Sequence, residues 1–242
     1  MSTGAPYAKL SPDRVLDAIA AAGLEPDGRL LALNSYENRV YQVGLDGGAF
    51  VVAKFYRPAR WNDAAIREEH AFASELVDAE LPVVAPLPFD GRTLLEHAGF
   101  RHAIYPRRGG RAGEMESREH LEWIGRLIAR MHGVGAREAF RQRGAIDRET
   151  FIVAPSRAVL ASTLLPPRLH EGYRNAIARV DAAVTARFEA VGSVARIRLH
   201  GDCHPGNLLW TDAGPHFVDL DDARMGPAVQ DLWMLAGDDA SL

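Results

Sequence analysis

The chain contains one cysteine, Cys203, in 242 residues, so no disulfide can close within it. Lysine and arginine together number 28 against 32 aspartates and glutamates, and the net charge of −4 gives no basic excess with which to hold nucleic acid or an anionic membrane surface. No stretch approaches the roughly 18 to 20 uninterrupted apolar residues of a membrane span. The opening MSTGAPYAKLSPDR lacks the apolar run of a secretion signal, and no repeat or low-complexity segment is present. These absences set aside a disulfide scaffold, a membrane protein and a nucleic-acid binder, and lead us to expect a reducing, cytoplasmic compartment. What is present is a 47% hydrophobic composition, enough to bury a substantial core in one large domain or two small ones.

The local patterns change texture along the chain. SPDRVLDAIAAAG places Ser11 as N-cap, Pro12 as first helical residue and Gly23 as stop. Three β-like runs follow, 29–33, 39–43 and 49–56, the last two joined by the turn sequence GLDGG, and together they predict an antiparallel meander. Residues 62–80 are helical in pattern, with Ile66, Ala73, Leu76 and Val77 on one stripe, and TLLEH and FRHAIY are strand candidates meeting at Ala98 and Gly99. After the Arg- and Gly-dense stretch 106–113 the pattern turns helical. Leu121, Ile124, Ile128 and Met131 fall in phase, and a second helix from near Leu169 carries Tyr173, Ile177, Val180, Val184, Phe188 and Val191, which predicts a core helix. The expected architecture is therefore β-rich with one helix in the N-terminal part and helical in the C-terminal part, with a ligand cleft between unlike lobes.

The chemistry concentrates in LHGDCHPGNLLW, residues 199–210. His200, Asp202 and His204 alternate as metal-ligand types, and Cys203 beside His204 offers a nucleophile with a base. Phosphoryl transfer is a third reading: it needs an aspartate to accept the proton of the substrate hydroxyl and an asparagine shortly after to hold Mg²⁺, and Asp202 and Asn207 stand five residues apart. Asp219, in the following HFVDLDD, is placed as a second oxygen ligand for a hard cation. Capping of turns by Asp202 and Asn207, with Asp219, Asp221 and Asp222 merely solvated, is the structural alternative. Phosphoryl transfer also needs a cation on a strand, fixed by a glutamate from a neighbouring helix. VVAKFY supplies Lys54, and the helical wheel of 62–80 puts Glu69 on the apolar stripe and Glu68 away from it. A carboxylate on a buried stripe requires a facing cation, so Glu69 predicts Lys54 as its partner.

In this order the segments HGDCHPGN and FVDLDD resemble the aminoglycoside phosphotransferase and choline kinase branch of the protein-kinase-like fold. LNSYENRVYQV, KFYRPARW, EEHAFASEL and FVDLDDARMGPAVQDLWML are similar to segments of the bacterial serine/threonine kinases of stress response within that branch. The resemblance implies an α+β, bilobal fold with an N-lobe over residues 1–105 and a C-lobe over 106–242. It implies an ATP- and Mg²⁺-dependent kinase acting on a protein Ser/Thr acceptor or on a small hydroxylated molecule. It further implies Asp202 as proton acceptor, Asn207 and Asp219 as metal ligands, Lys54 paired with Glu69, and Ser35 near the ATP phosphates. Backbone groups at Ile104 and Tyr105 would pair with adenine under Val52, and Asp231 would brace the catalytic loop; an ordinary first-turn helix aspartate is the alternative for Asp231. NSYENR stands where ordinary protein kinases carry a Gly-rich phosphate loop, so the Ser35 hydroxyl and neighbouring amides are expected to substitute. Related kinases continue with further helices past the last segment, so we expect an incomplete C-lobe, with the nucleotide and metal site retained and an apolar patch exposed near Trp233.

Overall fold

The computed structural model describes residues 6–112 and 117–236; the end of the expected linker at residue 113 and the tail 237–242 lie outside them. The elements run α1 (Pro12–Ala21), β1 (Pro26–Leu33), β2 (Arg39–Leu45), β3 (Phe50–Phe55), α2 (Asp63–Asp78), β4 (Leu95–His97), β5 (Phe100–Pro106) and β6 (Arg111–Ala112). Then come α3 (Arg118–Gly135), α4 (Ala154–Ala161), α5 (His170–Val191), β7 (Ile197–Leu199), β8 (Leu208–Thr211), β9 (Gly214–Phe217), β10 (Arg224–Gly226) and α6 (Gln230–Trp233). The fold is α+β. Two compact units emerge, one of Met1–Leu127 with His204–Asp221, the other of Ile128–Cys203 with Asp222–Leu242. This partition differs from the lobe cut expected at 105/106, because it falls within α3 and assigns the β8–β9 hairpin to the first unit. Backbone bonds explain that assignment: Phe217 N–H donates to Pro82 C=O and Val84 N–H to Phe217 C=O.

In the first unit the expected meander forms, extended to five antiparallel strands in the order β1-β2-β3-β5-β4. Side chains alternate across it. Val43, Val51, Ala53, Phe55 and Ile104 turn to one face and bury Val15, Ala18 and Ile19 of α1. α1 begins as anticipated, with the Ser11 side chain accepting from Arg14 N–H and Pro12 opening the helix. The opposite side packs Tyr56 and Ala103 against Ile66 of α2. The sheet therefore has two apolar faces and two helices rather than the single helix counted for this part, since one helix would leave one face in water. α2 is capped by the Asn62 side chain, which accepts from Ala65 N–H. Its buried stripe runs through Ile66, Glu69, Ala73 and Leu76, joined by Phe72, but Val77 is exposed and does not belong to it.

In the second unit β7 pairs antiparallel with β10, Leu199 opposite Arg224. Ile128 and Met131 are buried in the phase expected of α3, as are Leu199, Cys203 and Ala223. The core reading of α5 is overturned: none of its residues is buried, and Val180, Phe188 and Val191 are exposed. Helical phase marks which face would be covered, and whether another element covers it is decided elsewhere in the chain. Near α6, Val229, Leu232 and Trp233 are exposed, Trp233 by 58%, as expected of the patch there.

Candidate active site

Alternation along the sheet decides what faces a cavity of about 430 Å³ in the first unit. Val40 and Gln42 of β2 and Val52 and Lys54 of β3 line it, two residues apart on each of these strands, and Tyr105 of β5 joins them. α2 adds Glu69 and Ala73, the β1–β2 connection adds Ser35, and the hairpin adds Asn207, Leu209, Val218 and Asp219. Six of the expected residues thus share one wall system: Ser35, Val52, Lys54, Glu69, Asn207 and Asp219, with Tyr105 a seventh. Ile104 is not among them. It is one residue out of phase with Tyr105, so its side chain enters the α1 core, and its carbonyl accepts from Leu87 N–H at 2.7 Å. The Ile104 side chain thus takes no part in the cavity wall, which runs on from Tyr105 to Pro106 and Arg107.

Hairpin register brings Asn207 and Asp219 to one end. Leu208 faces Phe217, and one step further Val218 N–H donates to Asn207 C=O at 3.0 Å. β9 stops at Phe217, so Asp219 lies past the strand end rather than on it, with φ of 61° in the left-handed region. Its side chain is half exposed and accepts from Lys54 Nζ at 2.7 Å. Lys54 also lies 3.6 Å from Glu69 Oε1, the pairing the helical wheel predicts, and 3.5 Å from Asp221 Oδ1. Burial by itself would push the Lys54 ammonium toward neutrality, but Asp219, Asp221 and Glu69 more than offset it and hold its pKa well above the ordinary lysine value. Ser35 Oγ donates to Asn38 C=O at 2.8 Å, closing the β1–β2 connection on itself.

Asp221 has no role in the phosphoryl-transfer reading of the sequence and is solvated only in its structural alternative; it is buried, and its Oδ2 lies 2.9 Å from Arg60 Nη1. Asp219 in the left-handed region and the 3-10 turn Leu220–Asp222 take the chain out of strand periodicity, so no alternation along HFVDLDD places Asp221. Nothing in KFYRPARW singled out Arg60.

Asp202 belongs to the second unit. Its loop is fixed by Asp231, which is fully buried and accepts from Gly201 N–H at 2.8 Å, from His200 N–H at 3.0 Å, and stands 3.0 Å from His132 Nε2. Of the two readings held for Asp231, these bonds support the loop brace. Gly201 is required at its place, having φ of 87° and a position where a Cβ would meet Asp222 C=O at 2.1 Å. The His200–Asp202–His204 metal alternative is not assembled: among the described residues no three His, Cys, Asp or Glu side chains form a metal-holding group. His204 lies in the first unit and its Nδ1 accepts from Gly206 N–H. Cys203 is buried, and that burial, with the charges of Asp231 and Asp202, pushes its thiol up, away from the thiolate a nucleophile needs.

The sequence profile of the phosphotransferase enzyme family matches residues 29–241. The chain is 46% identical to stress response kinase A of Escherichia coli strain K12, over 96% of its own length and 70% of that protein. It is 45% identical to the serine/threonine protein kinase RdoA of Salmonella typhimurium, with the same coverage. Among solved structures, the amicoumacin kinase hAmiN in complex with AMP-PNP, Ca²⁺ and Ami superposes with a TM-score of 0.68 at 18% identity, covering 92% of this chain and 68% of the other. A microcompartment-associated aminopropanol kinase superposes with a TM-score of 0.69 at 18% identity, covering 93% and 74%. Among the described residues no helix is long and apolar enough to cross a membrane.

Proposed function

The chain belongs to the phosphotransferase enzyme family, and on that footing we propose that it moves the γ-phosphoryl group of ATP, with Mg²⁺, to a serine or threonine hydroxyl of a protein. The observation that carries this reading is the convergence of Lys54, Glu69, Ser35, Asn207 and Asp219 on one cavity. Its volume falls in the range of small-molecule sites, and its lining is apolar at Leu33, Val40, Val52, Val84 and Leu209, which suits a nucleobase. Lys54 is held charged on the cavity wall, which suits a cation that meets the phosphates. Asn207 and Asp219 offer two oxygen donors and no sulfur or imidazole, a set that fits a hard cation completing its shell with water and phosphate oxygens. When bound, Mg²⁺ neutralises charge on the transferring phosphates. Asp202 accepts the proton of the acceptor hydroxyl, on a loop whose backbone is clamped by Asp231. The protein acceptor rests on the names of the relatives at 45–46% identity, stress response kinase A and serine/threonine protein kinase RdoA.

The test is transfer of label from [γ-³²P]ATP into protein and metabolite pools. Asp202→Asn is expected to lower turnover by roughly 10² to 10⁴ while leaving the KM for ATP nearly unchanged. Undiminished turnover would remove Asp202 as the base. Label appearing only in small hydroxylated metabolites would replace the protein acceptor, and no ATP consumption at all would leave a nucleotide-binding scaffold.

A further inference from the structure

Asp221 is a buried carboxylate placed between two cations. Its Oδ1 is 3.5 Å from Lys54 Nζ and its Oδ2 is 2.9 Å from Arg60 Nη1. A carboxylate withdrawn from water needs compensating charge, and attraction falls with distance, so Arg60 takes the larger share. Lys54, meanwhile, is divided among three carboxylates, with Asp219 nearest at 2.7 Å, then Asp221 and Glu69. Arg60 is itself positioned. Its Nη1 lies 3.9 Å from Glu37 Oε2 on the β1–β2 connection that carries Ser35, and Glu37 also pairs with Arg57. The residue before it, Ala59, has φ of 65°, a left-handed conformation that a non-glycine residue keeps only where its surroundings hold it.

From this arrangement we propose that Arg60 is a positioning residue of the phosphotransferase, neutralising Asp221 so that the Lys54 ammonium stays available to the nucleotide phosphates. The inference rests on the reading of Lys54 as the phosphate-binding cation. Without Arg60, Lys54 must balance Asp221 as well as Glu69 and Asp219, and its ammonium is drawn toward the buried carboxylate. Arg60 acts through Lys54 rather than on the substrate, so its loss is undone when the charge it answers is removed at the same time.

The experiment is a double-mutant cycle on the full chain, reading KM for ATP and kcat separately. Arg60→Gln is expected to lower kcat/KM for ATP by about 10- to 100-fold, chiefly through KM, because the interaction disturbed is made with bound nucleotide as well as in transfer. Asp221→Asn alone costs less, and Arg60→Gln combined with Asp221→Asn returns the KM to within about threefold of Asp221→Asn, since neighbouring charges couple. A double variant as impaired as Arg60→Gln would overturn the proposal and place Arg60 on the substrate itself. An Arg60→Gln enzyme matching wild type would also overturn it. Should Arg60→Gln not fold, the double variant decides: a KM near that of Asp221→Asn supports the role, and a raised KM or a failure to fold removes it. Wild-type protein that consumes no ATP would instead defeat the functional reading, which keeps the two failures apart.

Discussion

Replacing Asp231 by alanine tests whether the loop carrying Asp202 is held from beneath. The side chain is fully buried and accepts from His200 N–H and Gly201 N–H, with His132 Nε2 at 3.0 Å from the same oxygen that receives His200. Alanine removes every one of these acceptors and supplies none. A buried donor left without its partner costs about 1–3 kcal/mol, and Asp231 serves two backbone N–H groups besides His132. The expected loss is about 4 kcal/mol, a large part of a total stability of about 5–15 kcal/mol. For a chain of this size each kcal/mol moves Tm by about 2–4 °C, which predicts a fall of about 10 °C by calorimetry. Asp231→Asn keeps one carbonyl acceptor but turns an NH₂ toward a donor, and is expected to lose about half as much. Turnover should fall with both variants while the KM for ATP holds, since the nucleotide-lining residues belong to the other unit. An Asp231→Ala protein melting within about 2 °C of wild type would refute the brace, because no rearrangement short of replacing three bonds would hide the loss.

Glu69→Gln is expected to raise the KM for ATP well beyond Glu68→Gln, because Glu69 is buried at 3.6 Å from Lys54 while Glu68 is partly solvated; the reverse ranking in steady-state kinetics would show the helix register to be wrong. His102 supplies a pH dependence. Its ring stacks on Phe55 at 5.2 Å, and burial lowers its pKa from the ordinary 6.5, so the folded protein binds this proton less readily than the unfolded chain. The stability it permits is present above pH 6.5 and is lost as the pH falls below it toward the folded value. Urea midpoints at about pH 7.5 and about pH 5.5 should therefore differ more for wild type than for His102→Leu, and an equal difference would show that other groups carry the acid sensitivity.

Most of the elements and of the cavity wall were legible along the chain, because both follow from short-range periodicity. A period of two along AFVVAKFY puts Val52 and Lys54 together, and a period of 3.6 along 62–80 selects Glu69 over Glu68; the structure brings all three to one cavity. The spacing of Asp202, Asn207 and Asp219 was legible for the same reason, as a fixed distance along one chain. Tertiary structure decided what periodicity leaves open. Ile104 shares its strand with Tyr105, but the α1 core claimed its face. α5 carries a regular apolar stripe, yet no residue of it is buried, since phase gives a direction without a partner to meet it. Asp221 carries no role that its sequence neighbourhood assigns, and its partner Arg60, 2.9 Å away, lies 161 residues earlier in the chain. An ion pair of that separation leaves no local trace, because its energy depends on a distance that only the folded chain sets.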